Sequence, residues 1–288
     1  MWNRREWLVT AGAALASSVS AAPERVKLGV ELGSISASKF TPYQYLDYFQ
    51  AIGIEAAQFN AGTLGIPAGA PIDKNELKKI RDYAASKGVA LVSFSGSSIS
   101  PTTASFDKKS GTAEDHIARG LKIAKILGAS AMRVVLGSFR DRPEIATHLA
   151  SMKQVLKNTR SQIRDSGIRL AIENHNADLT AREIKALIEE VGHDILGVCL
   201  DSGNPLVTME DPHLTLELLG PYALTSHVRD TAVWRVPEGV AARWVTMGQG
   251  NVDIDSWVKK FVAMRPGLPV LFESLPMATP AHHAGIHA

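Results

Sequence analysis

Four short stretches of this 288-residue chain each end in a side chain that can bind a metal or move a proton. They run from Arg169 to Glu173, from Ile195 to Asp201, from Ala223 to His227 and from Pro269 to Glu273. In the first, Leu170 and Ile172 alternate with Ala171 and Glu173, so a strand's period of two puts Glu173 and His175 on the face opposite the leucine and isoleucine. The same test sets Asp201 and Cys199 against Val198 and Leu200, and Glu273 and Leu271 against Val270 and Phe272. His227 shares a face with Thr225 and Arg229. A carboxylate ending an apolar strand is costly to bury unless a metal or a charge partner meets it. Three carboxylates and one imidazole form a mostly oxygen donor set, suited to Mn2+, Mg2+ or Co2+, with Zn2+ accommodated, and unsuited to copper or iron–sulfur centres.

The elements that must carry these residues alternate along the chain. Strand-like runs over 26–32, 54–60, 89–95, 131–136, 168–174, 195–200, 223–228 and 269–273 are separated by helix-like segments over 43–52, 74–86, 112–127, 143–164, 181–191, 213–219 and 254–264. Asp73 reads as an N-cap, Thr180 and Glu183 have capping-box spacing, and Gly88 and Gly128 read as helix ends. Eight strands alternating with helices point to an α/β fold, a (β/α)8 TIM barrel, in which inward strand ends converge on one mouth. An open doubly wound sheet competes less well, because no Gly-x-Gly-x-x-Gly turn follows the first strand. After Glu273 the remaining residues include Pro276 and Pro280, so the eighth helix is expected to be short or missing. Residues 231–250 read as an irregular stretch holding Trp234 and Trp244.

Residues 1–21 carry the order of a signal peptide: Arg4-Arg5, a short apolar run from Trp7 to Ala16, then small residues around Ala21. The paired arginines resemble a twin-arginine export signal, which implies passage through that machinery and a periplasmic or extracellular mature protein, cut near Ala21. Residues 22–288 then form a single barrel domain, and no later segment is long and apolar enough for a stable membrane span. The near-balanced net charge of +2 gives little pull on nucleic acid. One cysteine, Cys199, excludes an intrachain disulfide and a Cys-rich zinc site.

Taken in order, Glu173-Asn174-His175, Asp201-Ser202-Gly203-Asn204, His227-Val228-Arg229-Asp230, Met247-Gly248-Gln249-Gly250 and Phe272-Glu273-Ser274 resemble the serial motifs of the xylose isomerase-like TIM-barrel superfamily. That group holds sugar isomerases and epimerases, inosose dehydratases, hydroxypyruvate isomerases and, more remotely, endonuclease IV. The resemblance spans essentially the whole of residues 22–288. It implies that Glu173, Asp201, His227 and Glu273 are the divalent-metal ligands of the ketose 3-epimerase branch, with Glu173 and Glu273 also acting as acid and base. His175 and Asn204 would hydrogen-bond substrate hydroxyls, and Arg229 would face an oxyanion. Glu31, Gln58 and Gln249 complete the expected substrate contacts, with a solvated or ion-paired strand-end acid an equal reading for Glu31. Gln249 and Gln58 stand where many members carry Glu, and Asn204 where some epimerases carry His.

The expected function is therefore isomerisation or epimerisation of a sugar, keto-sugar or polyol derivative through an enediolate, in a protein that can also form homo-oligomers. Two alternatives stand beside it: a lyase of the inosose-dehydratase type, and an exported sugar-binding barrel without catalysis. An endonuclease IV-like enzyme ranks last, because the first four strands supply no histidine ligands. Asp230 and Asp253 read as loop and helix-cap residues, and His116, His148, His193 and His213 as surface residues. The tail histidines His282, His283 and His287 read as part of a disordered end. Cys199 reads as a barrel-filling residue.

Overall fold

A computed structural model describes residues 25–275 other than 68, 105, 138–142, 176–178 and 238, together with the backbone of 281–284. In chain order its elements are β1 (Leu28–Glu31), α1 (Pro42–Ile52), β2 (Ala56–Asn60), α2 (Lys74–Ser86), β3 (Ala90–Ser98), α3 (Ala113–Leu127), β4 (Ala131–Val135), α4 (Ile145–Ser166), β5 (Arg169–Glu173) and α5 (Ala181–Val191). They continue with β6 (Leu196–Asp201), α6 (Asn204–Val207), α7 (Pro212–Leu219), β7 (Ala223–His227), β8 (Asp230–Val236), β9 (Gly239–Val245), α8 (Ile254–Met264), β10 (Val270–Phe272) and β11 (Ala281–Ala284). Local chemistry fixes most boundaries. Thr41, Thr112 and Thr180 open α1, α3 and α5 through capping boxes with Gln44, Asp115 and Glu183, each satisfying backbone N–H groups that a helix leaves orphaned. Asp73, Asp211 and Asp253 cap α2, α7 and α8, and Gly128 ends α3 with φ of 77°.

Eight strands form one parallel sheet in the order β10, β1, β2, β3, β4, β5, β6, β7. The sheet closes where Val228 bridges Phe272: the Val228 N–H donates to Leu271 O at 2.7 Å, and the Glu273 N–H to Val228 O at 3.0 Å. Ser226 fastens the same seam, since its Oγ donates to Pro269 O and accepts the Leu271 N–H, both at 3.1 Å. The result is the expected TIM barrel. Its main core lies between strands and helices, with Leu46, Phe49, Ile117, Leu156, Ile184, Trp257 and Phe261 buried. The barrel interior below the site is filled by small and polar side chains: Ser93 Oγ donates to Gln58 Oε1 at 2.5 Å and lies 3.5 Å from Thr225 Oγ1.

Among the described residues no helix follows β10. The outer face of β1 beside it leaves Leu28 43% exposed, as a missing eighth helix predicts. Among the described residues no helix is long and apolar enough to cross a membrane. The leader reading of residues 1–21 lies outside the described residues.

Three sequence expectations need correction. Residues 230–245 are not irregular but form the antiparallel hairpin β8–β9, with Asp230 opposite Val245 and Val236 opposite Gly239. The backbone of 281–284, expected as a disordered end, pairs antiparallel with β9, placing His282 opposite Ala241 and His283 opposite Val240. His116 and His148 are buried rather than on the surface. His148 Nδ1 lies 3.3 Å from Ser100 Oγ and 3.1 Å from Thr102 Oγ1, and the His116 ring packs on Phe106. Both sit on the strand-facing side of their helices, where hydroxyls and carbonyls of the β3 region meet them.

Because Ser226 satisfies two buried backbone groups at the closing seam, Ser226→Ala is expected to lower stability by about 2 kcal/mol, the cost of leaving such groups unpaired. Urea denaturation measures this directly, and a loss near zero would show that the seam does not depend on the hydroxyl.

Candidate metal centre

Glu173 ends β5, Asp201 ends β6, His227 ends β7 and Glu273 follows β10, so four neighbouring strands of one ring deliver them to a single mouth. Their ligand atoms lie within 4.8 Å of one another, and all four residues are buried. Backbone contacts fix the cage. Asp201 Oδ1 accepts the N–H groups of Gly203 at 2.8 Å and Asn204 at 2.7 Å. Asn174 clasps the Asp201 main chain, with Oδ1 accepting its N–H at 2.8 Å and Nδ2 donating to its carbonyl at 2.9 Å. Three carboxylates and an imidazole so placed and oriented fit a divalent cation.

Three positive groups meet the three carboxylates. Arg133, from β4, donates through Nε to Glu173 Oε2 at 2.5 Å and through Nη1 to Ser95 Oγ at 3.3 Å. Arg229 donates through Nε to Asp201 Oδ2 at 2.7 Å, pairs through Nη2 with Glu273 Oε2, and lies 3.8 Å from Glu173 Oε1. His227 Nδ1 is 2.9 Å from Glu273 Oε2 and 3.4 Å from Glu173 Oε1. Burial opposes ionisation of Glu173, but Arg133 and His227 outweigh it and hold its carboxyl well below the usual range. Burial likewise opposes the His227 imidazolium, yet the Glu173 carboxylate beside the ring raises its pKa above the ordinary value. Burial pushes the Cys199 thiol up, which suits a filling residue and not a nucleophile.

The other expected site residues divide by position. Asn204 donates through Nδ2 to Glu173 Oε1 at 3.2 Å, while its Oδ1 is buried with no partner among the described residues. His175 Nδ1 and Glu31 Oε2 are buried and unpartnered in the same way, and burial lowers the His175 pKa so that the ring is neutral. Gln58 pairs with Glu31 in register across β1 and β2. Its amide Nε2 lies 2.8 Å from His227 Nε2, and its Oε1 is held from below by Ser93. Gln249 is exposed on the turn after β9.

That turn belongs to Asp230. Its Oδ2 accepts the N–H groups of Gly248 at 2.9 Å and Gly250 at 2.8 Å, and its Oδ1 those of Thr231 at 2.8 Å and Val252 at 3.1 Å. A Cβ on Gly250 would come within 2.2 Å of Asp230 Oδ1, which explains the glycine of the Met247-Gly-Gln-Gly motif. A Cβ on Gly203 would meet Arg229 Cγ and Thr231 Oγ1 at 2.6 Å, so the Asp201-Ser-Gly-Asn motif makes room for the arginine stem. The hairpin then brings Trp244 over the guanidinium, with Arg229 Cζ 4.2 Å from the ring centroid. Trp234 is exposed on the same hairpin.

Sequence reasoning does not single out Arg133. The signal is present nevertheless: on β4, Arg133 alternates with apolar Met132 and Val134, the pattern that marks Glu173. A search for metal ligands passes over it because a guanidinium donates hydrogen bonds and binds no metal.

A parallel barrel with a buried carboxylate–imidazole cage at the C-terminal ends of its strands belongs to the class of α/β barrels that keep their sites at that mouth. A model of the xylose isomerase-like TIM barrel family matches residues 46–284, and the chain belongs to that family. It is 28% identical over 148 residues to the 3-oxo-isoapionate decarboxylase of Pectobacterium atrosepticum, covering 51% of this chain and 52% of that one. The chain aligns with about half the length of the curated relatives it matches. Among solved structures it superposes on the 3-keto-D-glucoside 4-epimerase YcjR of E. coli with a TM-score of 0.66 at 13% identity, over 88% of this chain and 94% of that one. It superposes on the IolI protein with a bound zinc atom with a TM-score of 0.66 at 15% identity, over 86% and 88% of the two chains.

Arg133 is the nearest counter-charge to Glu173, whose side chain is 0% exposed. Arg133→Met is therefore expected to destabilise the metal-free protein by about 3 kcal/mol, since it strands a buried carboxylate. Thermal or urea melts in the presence of a chelator test this, and a loss below about 1 kcal/mol would count against the pair.

Proposed function

We propose that this chain is a divalent-metal-dependent enzyme that forms an enediolate on a sugar, keto-sugar or polyol derivative and resolves it by isomerisation or epimerisation. The observation that carries this reading is the four-residue cage of Glu173, Asp201, His227 and Glu273, closed to within 4.8 Å at the barrel mouth. A bound divalent ion supplies electrophilic stabilisation of the charge that develops on carbonyl and neighbouring hydroxyl oxygens. The chain's own groups do the rest. Glu173 and Glu273 approach His227 Nδ1 at 3.4 and 2.9 Å and stand as base and acid for a proton on the carbon beside the carbonyl. Arg133 keeps Glu173 ionised. Arg229 Nη1, His175 Nδ1 and Asn204 Oδ1, all buried and without partners among the described residues, are the groups left to hold an oxyanion and hydroxyls. Glu31 Oε2 adds a further acceptor.

A second reading is favoured by one observation, the half-length likeness to a 3-oxo acid decarboxylase. Loss of carbon dioxide from a hydroxyl-bearing carbon beside a ketone leaves the same kind of enediolate as loss of a proton, so one carboxyl group then suffices to protonate it. The 4-epimerase among the structural neighbours also acts on a 3-keto compound, which makes 3-keto sugars and 3-oxo sugar acids the compounds to try first.

The test combines metal analysis with turnover in D2O. Purified protein is expected to hold one equivalent of divalent metal, and Glu173→Ala to lose most of it. Incubated with a panel of ketoses, 3-keto sugars and 3-oxo sugar acids, it should place solvent deuterium on the carbon beside the carbonyl, and Glu273→Gln should slow this by roughly 100-fold or more. Deuterium with retained carbon skeleton supports the isomerase or epimerase, release of carbon dioxide or water supports the lyase, and neither across the panel leaves a sugar-binding barrel. Unchanged metal content in Glu173→Ala would remove the cage itself.

We also propose that residues 1–21 direct twin-arginine export to the periplasm, on the strength of Arg4-Arg5 and the apolar run that follows. Replacing both arginines by lysine is expected to keep the precursor in the cytoplasm, read by fractionation and immunoblot. Normal export of that variant would sink the assignment.

A further inference from the structure

The guanidinium of Arg229 stands among the residues expected to surround a metal. It binds Asp201 Oδ2 through Nε at 2.7 Å, pairs with Glu273 Oε2 through Nη2, and lies 3.8 Å from Glu173 Oε1, so one side chain touches three of the four cage residues. Arg229 is 3% exposed, and its Nη1 is buried without a partner among the described residues. Its main chain is anchored separately: the N–H donates to Ser202 Oγ at 2.9 Å, and Ser202 Oγ donates to the Arg229 carbonyl at 2.6 Å. Trp244 covers the flat face of the guanidinium at 4.2 Å, and Gly203 leaves room for the stem. The backbone is thus pinned while the head lies on an aromatic platform, an arrangement that lets the head turn without the strand moving.

We propose that Arg229 is the internal counter-ion of the metal-free cage, competing with the divalent ion for Asp201 and Glu273, and that metal binding releases its head along Trp244 toward the substrate. The inference rests on the metal-dependent reading above. The physical ground is that carboxylates buried this closely need positive charge beside them to stay ionised. A guanidinium and a metal ion cannot both use the same oxygens at full strength, and each raises the energy of the other by charge repulsion at this range. Arg229 would then serve two states in turn. Without metal it keeps three acids together and preorganised. With metal it presents its N–H groups to an oxyanion, so metal binds first and substrate second.

Isothermal titration of the full chain with Mn2+ tests the competition, comparing the native protein with Arg229→Gln and Arg229→Lys. Removing the competing charge should tighten Mn2+ binding by roughly tenfold or more in Arg229→Gln, with Arg229→Lys between the two. The metal-free Arg229→Gln protein should also melt at lower temperature than the native one, and saturating Mn2+ should close that gap. An arginine that only contacts substrate would leave Mn2+ affinity unchanged, and one that supports the ligands would weaken it on removal; either result overturns the proposal. Should Arg229→Gln fail to fold, tryptophan fluorescence supplies the second measurement. A diamagnetic ion shown by calorimetry to saturate the native protein, Mg2+ or Zn2+, should change its emission, and Trp244→Phe should abolish the change. Emission indifferent to a saturating ion also overturns the proposal. Native protein that binds no divalent ion removes the functional reading and this one together, whereas unaltered affinity in Arg229→Gln removes this one alone.

Discussion

Three carboxylates buried within a few ångströms of one another are the constraint on which this structure turns. Like charges at that spacing repel strongly in a poorly solvated interior. The fold answers with Arg133 from β4, Arg229 beyond β7 and His227 at the end of β7, so that three negative groups face three positive ones. Everything around the mouth serves to place those six groups. Asn174 and two backbone N–H groups orient Asp201, Gln58 and Ser93 orient His227, and the β8–β9 hairpin covers Arg229.

This balance also explains the division of motifs along the chain. Glycines 203 and 250 are not catalytic signatures in themselves; each is required where a side chain of the site occupies the space a Cβ would take. Asp230 looks like a ligand by type but is consumed by four backbone N–H groups of the turn it organises. The serial motifs therefore encode two things at once, a set of functional groups and the local backbone that frees them to act.

The barrel and its cage were legible because both follow from periodicity. Strand alternation assigns faces, and strand ends in a closed parallel barrel converge, so Glu173, Asp201, His227 and Glu273 could be placed together from sequence alone. The caps of α2, α3 and α5 were legible for the same local reason. What escaped depends on long-range pairing. The β8–β9 hairpin has weak alternation interrupted by arginines, and its partners, the turn bound by Asp230 and the later strand β11, lie further along the chain. The burial of His116 and His148 depends on which helix face meets the hydroxyls of the β3 region. Arg133 escaped because its part is to neutralise a ligand, a task visible only once Glu173 and Arg133 are seen side by side.

The seam between β7 and β10 has a consequence for the order of assembly. β10 closes the ring by pairing with β1 and by the bridge from Phe272 to Val228, and the residue that follows Phe272 is Glu273. The barrel strand nearest the C-terminus thus brings the fourth member of the cage, so closure of the ring and completion of the site are structurally one event. A chain folded through β7 but not yet closed holds Glu173, Asp201 and His227 without their fourth member. A divalent ion held by all four residues would therefore favour the finished ring, and occupancy of the site would report whether the fold has closed.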